Sequence, residues 1–148
     1  MTIAHAVAAL RAGGPDIVLD MLPYANFLGV HASVDGEDVE LVMPFHDRLI
    51  GAPGRLHGGA VAGLLELAGV ARLLVALGDE AVPPLLKPVT VTVDYLREGR
   101  AQPTHAGATL TRRGRRIANL HVRAWQYDRH RPIATANLNI LLDRGERR

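Results

Sequence analysis

The chain contains no cysteine and only one serine, Ser33, among its 148 residues. Without cysteine it can form no disulfide, no thiolate metal site and no thiol nucleophile. Ser33 also lies outside the Gly-x-Ser-x-Gly pattern that exposes a serine nucleophile at a sharp turn. Hydrolysis through a serine or cysteine acyl-enzyme is therefore nearly excluded, and a hydrolase built from this sequence has to use a carboxylate or an activated water.

Lysine is as scarce as serine, because Lys87 is the only one, so arginine supplies nearly all of the positive charge. The formal net charge is +2 and the sequence pI is about 9.5. Arginine binds phosphate groups bidentately, whereas so small an excess of positive charge does not favour a polyanion. Aromatic residues make up only 4% of the chain. A small phosphate-bearing ligand therefore fits better than a nucleic acid.

The length and composition predict one domain, since 148 residues with 48% hydrophobic content suffice for one well-buried core. Thr2 to Leu10 is apolar but lacks a basic leader region and a cleavage site, which indicates a short surface helix ending at Gly13-Gly14. We therefore expect a soluble cytoplasmic protein with no membrane partner. The seven histidines show no metal-ligand spacing, so neither a metal nor another cofactor is expected.

One long apolar segment, residues 58–78, carries only two charged residues, Glu66 and Arg72. A transmembrane span of this length is unlikely, because two charges lie inside it and no second span exists. The other alternative is an ordinary core helix whose glutamate reaches solvent. Arg72 is six residues after Glu66 and not on its helical face, so no basic partner lies one turn away. Because burying an unpaired carboxylate is costly, we interpret Glu66 as catalytic.

His57 directly precedes this segment, and Gly58-Gly59 begin it. The sequence His57-Gly58-Gly59 is typical of a helix N-terminus that approaches a ligand closely. Paired glycines leave the backbone accessible, and the first amides of a helix have no partner inside it. The positive end of the helix dipole faces the same side. The sequence therefore predicts that this turn holds an oxyanion.

Alternating apolar residues predict strands on both sides of this helix. The pattern indicates a hairpin around Asp35-Gly36 and strands near residues 89–95, 106–110, 118–124 and 134–140. The last three are joined by short connections, which favours antiparallel pairing. A helix that is apolar on nearly every side needs a cover, and a curved antiparallel sheet wrapped around it supplies one. We therefore expect an α+β fold.

The N-terminal part is predicted to be helical. Pro15-Asp16 indicates a second short helix that stops before Pro23. We accordingly divide the chain into an N-terminal helical extension, residues 1–22, and one domain, residues 23–148.

Five short motifs carry a resemblance to a known family. They are Leu49-Ile50-Gly51, Leu56-His57-Gly58-Gly59, Leu64-Leu65-Glu66, Val91-Thr92-Val93-Asp94-Tyr95-Leu96 and Gly114-Arg115-Arg116. Together, over roughly Pro23 to Leu142, they resemble the hot-dog-fold acyl-CoA thioesterases of the phenylacetyl-CoA thioesterase type. The resemblance implies a hot-dog fold, a central helix wrapped by an antiparallel sheet. It also implies that Glu66 is the catalytic acid and that the Gly58 amide, with His57 beside it, polarises the thioester carbonyl.

The sequence departs from that family at two positions. Related enzymes commonly carry asparagine or glutamine about six residues before the histidine, where this chain reads Gly51-Ala52-Pro53, so His46 or Asp47 would have to take over. Some relatives carry threonine or serine one turn after the acid, where this chain has Val70. The polar side of the site is therefore sparse. A non-catalytic acyl-CoA-binding protein is the alternative from another class of function.

The spacing of Gly58 and Glu66 predicts an oligomer. Eight residues of helix span about 12 Å, so the two groups cannot act on one carbonyl within one chain. Two subunits related by a twofold axis could instead each give Gly58 to the partner's Glu66. The resemblance implies the same, since hot-dog domains pair side by side into a continuous sheet. We expect a homodimer or a dimer of dimers, that is, a homotetramer.

The expected reaction is hydrolysis of an acyl-CoA thioester, with the Gly58 N–H as oxyanion donor and Glu66 as general base or nucleophile. Gly59 is expected to contact the substrate. The CoA phosphates are expected to meet the arginines that flank a turn, although such a cluster can also be a solvated tip. These arginines are Arg112, Arg113, Arg115 and Arg116. The sequence is compatible with an aliphatic or an aryl acyl group.

Overall fold

The computed structural model describes residues 3–20 and 22–145, within which three α-helices and nine strands form. The helices are α1 Ile3–Ala12, α2 Pro23–Leu28 and α3 Gly58–Ala76. The strands are β1 Gly14–Val18, β2 His31–Asp35, β3 Asp38–Met43, β4 Ile50–Ala52, β5 Arg55–Leu56, β6 Leu85–Tyr95, β7 Thr104–Arg113, β8 Ile117–Trp125 and β9 Ala134–Asp143. A 3₁₀ turn, Asp47–Leu49, precedes β4.

Seven strands form one antiparallel sheet in the order β1-β2-β3-β7-β8-β9-β6, and α3 packs across one face of it. This arrangement confirms the predicted fold class, a long central helix on a large antiparallel sheet, and the sheet stays open. β4 and β5 form a separate hairpin directly before α3. β6 follows α3 in the chain but pairs with β9, so β6 is an edge of the sheet.

The close approach of α3 to the sheet depends on small residues in the helix. Leu64, Leu65 and Ala68 are fully buried against the strands. A Cβ atom at Gly69 would lie 2.6 Å from Cδ2 of Leu138 on β9, so a side chain there would displace either the buried Leu138 or the helix. Glycine at position 69 therefore allows the present close packing of the helix on β9.

Two arginines bind the carbonyl groups at the C-terminal end of α3. Arg11 of α1 donates to the Leu77 oxygen at 2.8 Å, and Arg113 of β7 donates to the Ala76 oxygen at 3.0 Å. The last carbonyls of a helix have no partner inside it, and the negative end of the dipole favours cations there. These two side chains tie α1 and β7 to the central helix.

The prediction of a second short helix at Pro15-Asp16 is wrong. Gly13 and Gly14 adopt φ values of +76° and +119°, which turn the chain directly after α1. The following residues form β1 beside β2 instead. Pro15 is tolerated there because β1 is an edge strand, where a missing N–H costs little. The short helix begins later, with Pro23 at its first position, where the fixed φ of proline suits a helix.

One face of α3 is only half-buried. Its positions three or four residues apart, Gly63, Glu66, Leu67, Val70 and Leu74, share this face. Among the described residues α3 is the one helix long and apolar enough to cross a membrane, yet half of its most apolar 18-residue window is buried in the domain. The helix therefore serves as the core helix, with one face left for a further contact.

Candidate active site

The N-terminus of α3 is capped by the side chain of the residue before it. His57 is the N-cap, and its Nδ1 accepts a hydrogen bond from the Gly59 N–H at 2.9 Å. Because Nδ1 is the acceptor, the proton of the neutral ring lies on Nε2. The His57 N–H donates to the Leu49 oxygen at 2.7 Å, which fixes the cap residue to the preceding 3₁₀ turn.

The cap leaves one amide of the first turn without a partner. The Ala60 N–H donates to the His57 oxygen at 3.0 Å, and the Gly59 N–H is bound by the imidazole. The Gly58 N–H has no acceptor among residues 3–20 and 22–145. It is a donor at the positive end of a 19-residue helix, and it is the amide that the sequence predicts as the oxyanion donor.

Two tyrosine hydroxyls donate to the carbonyls of the same turn. The Tyr95 hydroxyl, at the end of β6, lies 2.9 Å from the Gly58 oxygen. The Tyr24 hydroxyl of α2 lies 3.4 Å from the Gly59 oxygen. Gly58, Val61 and Tyr95 also line an open cavity of about 370 Å³. A substrate group can therefore reach the start of the helix from solvent.

Glu66 lies two turns further along α3, on its half-buried face. In the part of the chain that the structure describes, its carboxylate forms no hydrogen bond and no ion pair. Arg72, the other charged residue within the helix, lies 3.5 Å from Glu37 of the β2–β3 turn instead. One chain therefore presents the Gly58 amide and an unpartnered carboxylate at separate points of the same helix, and it does not bring them together.

The position of the missing side-chain amide is sterically closed. A Cβ atom at Gly51 would lie 2.8 Å from the Cα of His57, so β4 can press against the N-cap only because residue 51 is glycine. Of the two suggested substitutes, Asp47 lies in the exposed 3₁₀ turn. The ring of His46 packs edge-on against Phe27, with both ring nitrogens buried and without a hydrogen bond. Neither side chain is bonded to the start of α3.

The sequence matches the acyl-CoA thioesterase N-terminal domain family over residues 49–140. The chain belongs to this family. A protein from Chromobacterium violaceum shares the fold at 32% identity, over 86% of this chain and 88% of that one, with a TM-score of 0.68. A mutant thioesterase from Pseudomonas aeruginosa is 24% identical over 84% and 88% of the two chains, with a TM-score of 0.73.

A phenylacetic acid degradation-related protein from Ralstonia eutropha JMP134 is 23% identical over 80% of this chain and 88% of that one, with a TM-score of 0.69. No curated protein matches the sequence at a significant level. The family match and these neighbours confirm the resemblance to hot-dog-fold acyl-CoA thioesterases that the motifs carry.

The four arginines around Gly114 separate into two groups in this thioesterase domain. Arg113 is bound to the end of α3 and donates to Asp79 at 2.9 Å. Its hydrogen bond holds the pKa of the Asp79 carboxyl below the usual value. The guanidinium groups of the other three form no bond within the described residues. Arg112, Arg115 and Arg116 line an open cavity of about 600 Å³.

This second cavity lies on the face of the sheet away from α3. Its remaining walls include Thr90, Asn119 and Asn139. Leu138 of β9 faces the helix, and side chains alternate along a strand, so Asn139 points to the opposite face. Thr90, which lines this cavity, is five residues before Tyr95 on β6, a separation of about 16 Å along the strand.

The roles of the two tyrosines and the pairing of Arg113 were not predicted from the sequence. Tyr95 belongs to a motif of the family resemblance, yet nothing in its spacing indicates a contact with Gly58. Nothing in the sequence around Tyr24 indicates its contact with Gly59, because the two residues meet only when α2 packs on α3. Within residues 3–20 and 22–145, no group of three or more histidines and acids could hold a metal ion.

Proposed function

We propose that this thioesterase-family protein hydrolyses acyl-CoA thioesters to a free acid and CoA, in sites shared between two subunits. The single observation that carries the proposal is the unpaired Gly58 N–H at the start of α3. An amide in this position stabilises the negative charge that develops on the thioester oxygen in the transition state. Glu66 of the partner supplies the carboxylate.

This carboxylate can act by either of two mechanisms. As a general base, Glu66 takes a proton from water while the water oxygen attacks the carbonyl carbon, and the C–S bond then breaks as the proton passes to the CoA sulfur. As a nucleophile, Glu66 forms a mixed anhydride and releases CoA, and water then cleaves the anhydride. Both courses need the oxyanion donor, and both consume one water per thioester.

The free edge of β6 supports the pairing of two subunits. β6 has 11 residues and, among the described strands, bonds only to β9. Leu85, Val89 and Tyr95 are exposed along it. A long exposed apolar edge is a template for another strand, whereas β1 at the other edge has only five residues. Pro88 and a register shift lie in the first half of β6, so the stretch from Thr90 to Tyr95 is the regular part of this edge. We propose a homodimer through β6, assembled further into a homotetramer, in the cytoplasm.

A non-catalytic acyl-CoA-binding protein is the second candidate. Gly51 leaves no side-chain amide beside His57, and Val70 offers no hydroxyl one turn after Glu66. A site with a reduced set of polar groups can bind a thioester without turning it over.

A panel of acyl-CoA substrates separates the two candidates. We expect the wild-type protein to release CoA from at least one member of a panel of short aliphatic, medium aliphatic and aryl acyl-CoA esters. The released thiol can be measured with a thiol-reactive dye without background, because the protein has no cysteine of its own. Binding of the panel in calorimetry without any turnover would instead favour the binding protein.

The arginine-lined cavity gives a prediction about affinity for CoA. Replacing Arg115 and Arg116 together by glutamine is expected to raise the KM for an acyl-CoA about tenfold, because exposed charge-assisted contacts to phosphate are lost. The value of kcat should change little. The increase should also weaken at high salt, since exposed charges are screened.

Two comparisons test this interpretation. The same acyl group on pantetheine, which lacks the nucleotide phosphates, should have the same KM with wild type and with the double variant. Arg113→Gln should instead lower the thermal stability, because Arg113 binds the end of α3 and Asp79. An equal KM increase for acyl-pantetheine would show that the cavity does not bind phosphate.

A further inference from the structure

The start of α3 is held by three side chains, two of which are remote in sequence. Gly58 and Gly59 have no side chains of their own to anchor the turn, and glycine has the greatest backbone freedom of all residues. His57, Tyr95 and Tyr24 donate to or accept from the backbone of these two residues. Tyr95 comes from β6 and Tyr24 from α2, so two separate elements converge on one turn.

The peptide unit between Gly58 and Gly59 is bound at both ends. Its carbonyl accepts from the Tyr95 hydroxyl at 2.9 Å, and its N–H donates to Nδ1 of His57 at 2.9 Å. A peptide unit is planar and rigid, so two bonds on opposite sides fix its orientation. The free Gly58 N–H belongs to the neighbouring unit and shares the Cα of Gly58 with it. Fixing one unit therefore restricts the direction of that N–H.

The Tyr95 bond is not needed to satisfy the Gly58 carbonyl. As the first residue of α3, Gly58 has a carbonyl that takes part in the helical hydrogen-bond pattern. Within one chain Tyr95 is 57% exposed, so packing inside the domain does not explain its place either. Its hydroxyl adds a second bond to a carbonyl that already has one. Such a bond restrains geometry more than it offsets a loss of solvation.

Tyr24 restrains the same turn from the other side. Its ring lies over Gly63, where a Cβ atom would be 2.3 Å from Cε1 of the tyrosine, so the ring can take this place only because residue 63 is glycine. The Tyr24 hydroxyl then reaches the Gly59 oxygen. Tyr24 and Tyr95 therefore hold successive carbonyls of the first turn.

We propose that Tyr95 is a positioning residue, which aligns the Gly58 N–H for the thioester oxygen by binding the Gly58 carbonyl, and that Tyr24 assists it. The inference rests on the proposed function, because it assigns Gly58 the oxyanion. Oxyanion donors act only within a narrow range of distance and direction, so freedom in a Gly-Gly turn would weaken the interaction in the transition state. Tyr95 acts through Gly58 and does not need to touch the substrate.

Tyr95→Phe keeps the ring and removes the hydroxyl, so it tests this role directly. We expect kcat to fall about five- to tenfold with KM within twofold of wild type, because the oxyanion contact matters most in the transition state. Tyr24→Phe should show the same pattern with a smaller loss. The third tyrosine offers a matched control, since Tyr127 is 83% exposed and its hydroxyl bonds the Gln102 side chain. Tyr127→Phe should keep the wild-type kcat.

The infrared carbonyl band of a bound substrate analogue reports the alignment of the Gly58 N–H without turnover. A ketone analogue of a hydrolysed acyl-CoA, with CH₂ in place of the thioester sulfur, should show a lowered infrared carbonyl frequency when bound to wild type. Tyr95→Phe should reverse part of that shift, and Gly58→Pro should reverse most of it. An unchanged kcat and an unchanged carbonyl band in Tyr95→Phe would overturn the role of Tyr95 while the proposed function stands. A wild-type protein without turnover and without a band shift would overturn the proposed function, and the role of Tyr95 with it.

Discussion

Replacing Glu66 by glutamine is expected to lower kcat by about 10²-fold or more, as for the removal of a catalytic acid or base. Glutamine keeps the size of the side chain and removes the charge, so the half-buried face of α3 should pack as before. In one chain the carboxylate has no partner among the described residues, so no ion pair is broken by the change. The measurement is steady-state hydrolysis of the best substrate of the panel, with circular dichroism to check the fold.

Glu37→Gln is the matched control for this variant. Glu37 is an exposed glutamate at the β2–β3 turn, paired with Arg72 at 3.5 Å. Its replacement should leave kcat unchanged. Wild-type turnover by Glu66→Gln would show that the carboxylate is structural. The group that activates water would then have to be sought elsewhere in the domain.

Local patterns were sufficient to predict most of the fold. The apolar run after Gly58 and the alternating strands near residues 118–124 and 134–140 predict the central helix and the antiparallel strands, and these are confirmed. The order of the strands could not be read from periodicity. β6 pairs with β9, whose residues lie about 40 to 60 positions later, and alternation does not specify a partner. The strand β1 was missed because its backbone conformation comes from two glycines with positive φ.

In the candidate site, too, local sequence patterns predict some residues, whereas the long-range contacts could not be predicted. Gly58, His57 and Glu66 are visible in the sequence because a glycine pair before an apolar helix and an acid inside it are both unusual. The contacts that support them are long-range. Tyr95 is 37 residues from Gly58, and Arg113 is 34 residues from Asp79. Pairs of this kind depend on how the elements pack, which no spacing rule describes.

The reason for the departure from the family pattern at Gly51 is visible only in the structure. From sequence alone, glycine in place of an asparagine or glutamine indicates a lost functional group that could be restored by mutation. The contact between Gly51 and the Cα of His57 leaves no room for a Cβ atom. We infer that the β4–β5 hairpin and the N-cap are adapted to each other, so a side-chain amide would have to come from another position.

Gly58→Pro is expected to lower kcat by about 10²- to 10³-fold with the fold intact, because it removes one oxyanion donor. Gly58 is the first residue of α3, where proline is favoured. His57 before it has ψ 131°, an extended conformation of the kind that a following proline favours. The substitution therefore removes the N–H with little strain. Light scattering should report the same oligomer as for wild type.

Mixing this variant with Glu66→Ala tests whether the sites are shared. In a mixed dimer, the alanine subunit still has its Gly58 amide and the proline subunit still has Glu66, so one of the two sites is complete. Random exchange makes about half of the dimers mixed, and about a quarter of the wild-type activity should return. A mixture of Glu66→Ala and Glu66→Gln should stay inactive. If the first mixture also stays inactive although exchange is complete, or if an active monomer is found, each site has to lie within one chain and the proposed mechanism fails.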